Sequence, residues 1–292
     1  MKITEAYAAM IARDAYFWAW PLVNLYNKRL GFKDVPEPML VGPALAAPLN
    51  RLVMLTDYID PGQRLVACPN QDVVYGAGSL ALDLSPVVIQ VPDFGERFWV
   101  YQLVNLRTDG FVQLGKMYGT TPGFYLLVGP NWKGDIPKGI TKVFHSPTNT
   151  GFVAPRVFQD DTAEDKKAVQ SALQWITMYP LAEYDGTMKR VDWSAIKKVP
   201  AAATGDAETK WVFPEKFFDQ LPDILADAPP LPGEESRYAQ MRALLEAIKQ
   251  NPALKQPLIN AVAEVDEPLT AFEKLPRWHL PRPAQRHMRS WQ

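Results

Sequence analysis

Residues 69–84 read Pro69-Asn70-Gln71-Asp72-Val73-Val74-Tyr75-Gly76-Ala77-Gly78-Ser79-Leu80-Ala81-Leu82-Asp83-Leu84. The texture changes at Val73. Before it, Asn70 and Asp72 stand two apart, a spacing that suits a turn because both side chains can hydrogen-bond local backbone. After it, β-formers alternate with small residues, which predicts a strand over Val73–Leu84. Gly76 to Ala81 also matches the G-x-G-x-x-A form of the dinucleotide fingerprint, which works only where a helix opens directly behind the glycines. Here the alternation runs on to Leu84 and Pro86 follows. The glycines therefore read as a bulge or a place where another backbone comes close.

The same pattern extends on both sides. Arg64–Cys68, Val87–Val91, Arg97–Leu106, Gly123–Val128, Thr141–His145 and Gly151–Phe158 are short, rich in Val, Phe and Tyr, and separated by Pro, Gly, Asn and Asp. With Val73–Leu84 this makes seven expected strands, the signature of an antiparallel sandwich or barrel. From Phe98 both alternating sets are largely apolar, so that strand is expected to be covered on both faces. Residues 3–20 predict a helix capped by Thr4, with Pro21 kinking or ending it and Leu22–Leu30 able to resume it. Residues 34–62 read as Pro-rich and irregular. Helices are expected over Ala163–Tyr179, Pro214–Ala226, Glu234–Gln250 and Pro252–Val265. The fold class is α+β: an antiparallel β-sandwich or barrel-like core with an N-terminal helix and a helical C-terminal third. The linker Pro200–Lys210 divides a β-rich domain, 1–200, from a helical extension, 201–292, which ends in a basic tail over 277–292.

The 292 residues carry 31 Lys plus Arg against 32 Asp plus Glu, a net charge of −1 that argues against a general nucleic-acid binder. The single cysteine, Cys68, excludes an intramolecular disulfide and a Cys-rich metal site. With only His145, His279 and His287 available, no metal and no cofactor are expected. The early apolar stretch is interrupted by Arg13 and Asp14, and the most apolar window, Ala15–Leu25, is too short to span a bilayer and contains Pro21. A cytoplasmic chain with no membrane partner is the expectation, and the edges of an antiparallel sheet leave self-association into a homo-oligomer open.

Polar residues at strand ends are the candidates for chemistry. Asp72 and Tyr75 could act as base and acid if a cavity buries both, with Asn70 as orienter. Asn105-Leu106-Arg107-Thr108-Asp109 follows an apolar strand, and Lys116 and Arg156 add cations. Arg107 and Arg156 could clamp an anion through their two-pronged donor geometry, with Asp109 and Lys116 beside them. Equally, the arginines could pair with Asp72 or Asp109 and tie the sheet together.

Cys68-Pro69-Asn70-Gln71-Asp72-Val73-Val74-Tyr75, followed by Ala81-Leu82-Asp83-Leu84-Ser85, resembles the signature of the bacterial DUF1254 family. Val91-Pro92-Asp93, Tyr101–Leu103 through Phe111, Gly129-Pro130-Asn131-Trp132, Arg156, Phe217-Phe218 and Pro229-Pro230 continue the likeness in order over roughly residues 6–260. The resemblance implies a mostly β N-terminal domain with helices packed on it. Many relatives carry a second β domain of the DUF1214 type and a signal peptide, both expected to be missing here. Val73 stands where the family tends to have Thr, and Lys116 where it often has Arg. No general activity attaches to the family, so the likeness carries fold rather than chemistry. Two functions follow from the residues. One is a metal-independent enzyme, a hydrolase or a lyase or isomerase, acting on a small apolar molecule with a polar or anionic group through Asp72 and Tyr75. The other is a ligand-binding or assembly module without catalysis.

Overall fold

A computed structural model describes residues 3–60, 69–200 and 210–273, the last seven of these as backbone only. Arg64–Cys68, most of the expected linker, and the basic tail with His279 and His287 lie outside the described residues.

The glycine-marked run forms β4 (Val73–Ala81), in the four-stranded sheet β3–β4–β9–β6 with β3 (Leu52–Met54), β6 (Trp99–Asn105) and β9 (Thr150–Phe158). Its pairings are all antiparallel, with Gly78 opposite Leu52 on one side and Val153 on the other. A Cβ on Gly78 would lie 2.6 Å from the Arg51 carbonyl oxygen, and one on Gly76 would lie 2.1 Å from Met54 Sδ. Both positions are inside the strand, with no helix behind them, so the glycines serve the crossing of β3.

A second sheet, β10–β5–β7–β8, contains β5 (Val87–Val91), β7 (Gly123–Val128), β8 (Ile140–His145) and β10 (Thr177–Pro180). The two sheets share a core that includes Val74, Leu80, Ile89, Tyr101, Leu103, Leu127 and Val153. Among the described residues no sheet closes into a barrel, and β7–β8 is a parallel pair. The Pro-rich stretch 34–62, expected to be irregular, holds three strands: β3 of the first sheet, and β1 (Met39–Val41) and β2 (Ala44–Ala46), which form a small third sheet with β11 (Lys197–Val199).

The helix expected to reach Tyr179 stops early: α2 spans Ala163–Leu173, and Thr177–Pro180 pairs with β5 instead. Buried Gln90 accounts for the turn between them. Its Nε2 donates to the Trp175 and Lys189 carbonyls at 2.7 and 2.8 Å, and its Oε1 accepts from Lys189 N–H at 2.7 Å. A fully satisfied buried amide holds the chain in the extended path.

The helical layer draws on both ends of the chain. α1 runs unbroken over Glu5–Phe32, with Thr4 capping Tyr7 N–H and Pro21 inside. Proline frees the carbonyl four residues back, on Phe17, which is exposed to solvent. The buried face of α1 sets small residues, Ala8, Ala12, Ala15 and Ala19, beside Ile11, Tyr16, Leu22 and Val23, and the alanines let neighbouring helices approach closely. Against it pack α3 (Phe217–Asp227), α4 (Glu235–Gln250) and α5 (Lys255–Glu273), through Phe217, Leu221, Ile224, Tyr238, Leu244 and Leu258. The division at 200/201 thus separates stretches of chain that share one core. Asp227 docks this layer on the sheet, accepting Asn149 and Thr150 N–H at 2.6 and 2.9 Å. Among the described residues no helix is long and apolar enough to cross a membrane.

Candidate functional site

The turn before β4 does not build an enclosed acid–base pair. Asp72 is exposed, and its carbonyl accepts Gln159 N–H at 3.0 Å. Tyr75 is half-buried within the strand, and its hydroxyl accepts Asn70 N–H at 2.8 Å. Burial of both groups was the condition for acid–base work near neutral pH, and Asp72 does not meet it. Asn70 orients Tyr75 through its backbone rather than its side chain.

Arg107, expected as a clamp, is engaged in holding the helical layer. It pairs with Glu234 at 2.9 Å, donates to the Pro229 carbonyl and Tyr238 hydroxyl at 2.7 and 2.8 Å, and lies 5.5 Å from the centre of the Trp18 ring. Burial alone would raise the Glu234 carboxyl. The Leu231 N–H, Trp18 indole and Arg107 donors outweigh it and hold the group below its ordinary range. Asp109 is exposed at the end of a tight turn in which Asn105 Oδ1 accepts both Arg107 and Asp109 N–H, at 2.8 and 3.1 Å. Lys116 is spent on Glu96 at 2.8 Å.

Arg156 is different. It sits on β9 between Tyr75 of β4 and Val100 of β6. Its Nη2 donates to Gln102 Oε1 at 2.7 Å, and its guanidinium lies 5.4 Å from the centre of the Tyr75 ring. Its Nε is buried without a hydrogen-bond partner. No carboxylate among the described residues pairs with it.

Arg156 faces a cleft of about 730 Å³. Along the cleft the chain leaving β6 returns beside it out of step. Bridges join Val100 to Gly115 and Val104 to Gly110, four steps along β6 against five along the returning segment. The extra residue makes a bulge. Val100, Gln102 and Arg156 line the cleft from the first sheet, Phe111 and Val112 from the returning segment, and Lys142 and Phe144 from β8 of the second sheet. Met117 and Tyr118 stand exposed at the rim. The described lining residues include no Asp or Glu.

Of the expected site residues, the structure brings together Tyr75, Asn70 and Arg156 and leaves Asp72, Arg107, Asp109 and Lys116 elsewhere. β6 is fully covered on one face, by way of Trp99, Tyr101, Leu103 and Asn105, and in part on the other, where Val104 packs on the helical layer, Val100 is half-buried and Gln102 is exposed. Gln102 was the available signal, a polar residue in an otherwise apolar run. Phe111, Lys142 and Phe144 carried none, because they reach the cleft from separate elements, a tertiary feature. Among the described residues, no group of three or more His, Cys, Asp and Glu is placed to hold a metal ion.

An α+β body of two main sheets and a small third one, with an amphipathic cleft at the edges of the main sheets, is the class of protein that this geometry defines. Residues 49–180, which hold β3 to β10 and the whole cleft, match the family model described as a protein of unknown function, DUF1254. In structure the chain is similar to the VPA0106 protein from Vibrio parahaemolyticus, with 17% identity and a TM-score of 0.58. That likeness covers 88% of this chain and 58% of the other, so the chain spans less than two thirds of its neighbour's length. At such identity the likeness concerns the fold. No curated protein matches.

Proposed function

We propose that this protein binds a small, largely apolar molecule bearing an anionic group, held in the cleft between β6 and β8 with Arg156 as its anchor. The observation that carries this reading is Arg156 itself: a half-buried guanidinium with no carboxylate partner among the described residues, lining an amphipathic cleft whose described lining is free of acid. Ligand sites have this composition, apolar walls with a few placed polar groups, and this cleft's volume falls in their usual range. The fork of an arginine matches a carboxylate or sulfonate. Binding without catalysis is favoured over the Asp72–Tyr75 enzyme because Asp72 is exposed.

The test is isothermal titration of octanoate, decanoate and 2-naphthoate against wild type, Arg156→Gln and Asp72→Asn. Wild type is expected to bind at least one acid saturably. Arg156→Gln should weaken that binding by about 10–100-fold, the worth of a charged hydrogen bond of about 1.5–3 kcal/mol, with an unchanged circular dichroism spectrum. Asp72→Asn should bind as wild type does. Absence of saturable binding in wild type, or equal affinity in Arg156→Gln, overturns the proposal.

A further inference from the structure

Lys142 stands across the cleft from Arg156, on the other sheet. Its ammonium lies 4.9 Å from the centre of the Phe144 ring, its neighbour on the same face of β8. Like Arg156 it lines the cleft, and no carboxylate among the described residues pairs with it. Six of the nine described arginines, by contrast, pair with a carboxylate: Arg13, Arg29, Arg51, Arg97, Arg107 and Arg237.

Each cation at the cleft rests on an aromatic ring, which steadies it without cancelling its charge. Two positive groups that line one cleft from different sheets, with Phe111, Val112 and Phe144 in the same lining, make a field that a single anion answers at only one end. We infer that the ligand is an elongated molecule anionic at both ends, one end on Arg156 and the other on Lys142, its apolar middle lying along Phe111, Val112 and Phe144. This inference rests on the reading of the cleft proposed above and adds the second pole. Such a ligand also ties the two sheets together at an edge where no strand pairing joins them.

The test compares dicarboxylates with monocarboxylates of the same carbon count: hexanedioate, octanedioate and decanedioate against hexanoate, octanoate and decanoate. Titrations use the full chain as wild type, Lys142→Gln, and Lys133→Gln, an exposed lysine outside the cleft that controls for bulk charge. Wild type is expected to prefer the best dicarboxylate over its monocarboxylate by about tenfold. Because Lys142 is exposed, that preference should shrink as salt is added. Lys142→Gln should weaken the dicarboxylate to the level of the monocarboxylate and leave the monocarboxylate unchanged. Lys133→Gln should keep the preference. Equal binding of both classes by wild type, or a preference that survives Lys142→Gln, overturns the second pole while Arg156 keeps its anchoring role. Failure of every probe overturns the cleft reading and this inference together. Lys142 is on the surface of an edge strand, so folding of its variant is checked by an unchanged melting temperature.

Discussion

At position 78 any Cβ would come within 2.6 Å of the Arg51 carbonyl oxygen and 2.9 Å of Met178 Cε. The first contact is backbone and cannot rotate away. Gly78→Ala should therefore push β3 off β4 and cost about 1–3 kcal/mol, the usual penalty for overfilling a packed core. Denaturant titration with far-ultraviolet circular dichroism measures it, and a variant as stable as wild type would show that β3 yields freely. Single residues differed widely in what the sequence disclosed. The glycine pair could be read as a close approach because the run continued as a strand. Arg156 could be picked out as a cation at a strand end. Arg107 looked the same, yet its acid partner Glu234 lies 127 positions away, and nothing local announces it.

Among the elements, α2 shows how one carboxylate couples a helix start to the sheet. Thr162 caps the helix by accepting Asp165 N–H, and Asp165 accepts the Arg97 guanidinium at 2.8 and 2.5 Å and Asp160 N–H at 2.7 Å. The Arg97 donors, opposed by partial burial and helped by Asp160 N–H, hold the Asp165 carboxyl below its ordinary range. A carboxyl depressed in the folded state contributes stability above its unfolded pKa, and that contribution disappears as pH falls through the folded value. Asp165→Asn should lower stability at neutral pH by about 1–3 kcal/mol, since it breaks a charged two-pronged hydrogen bond. It should also flatten the loss of stability on acidification. Melting curves from neutral pH to about pH 3 measure both, the lower end being set by the ordinary range of carboxylates. An acid limb as steep as that of wild type would assign the effect to other groups. Legibility at this scale followed length. β5 and β7 fall where their apolar runs placed them, whereas β1, β2, β3 and β11 are three residues each and too short to show a period. β10 had a pattern open to helix or strand, and its pairing with β5 decided it. α1 passes through Pro21 because its apolar face is packed on both sides of the proline, through Ala15 and Ala19 before it and Leu22 and Val23 after it.

In the whole molecule, the central stretch of the chain makes the sheets and the two ends make the helical layer. α1 shares its core with α3, α4 and α5, and Val104, Leu106 and Phe152 of the sheet layer join it. A fragment of residues 1–200 keeps α1 but removes the partners of its apolar face. It is expected to bind a dye for exposed apolar surface, to lose helical signal beyond the helices removed, and to aggregate. Light scattering and dye fluorescence check this, and a monodisperse fragment with α1 intact would show that the sheet alone supports the helix. The α+β class was visible in the sequence as a change from two-residue to helical periodicity. The joining of both ends in one core was not, because periodicity reports which face of a helix is apolar and not what covers it.

That shared core sets a schedule for the chain as it leaves the ribosome. α1 emerges before the sheets, while its helical counterparts begin only at Phe217. At roughly 5–20 residues per second, the helix waits on the order of 10–40 s before translation supplies them. During that interval its apolar side is a natural client for a chaperone, until α3, α4 and α5 are synthesised and cover it.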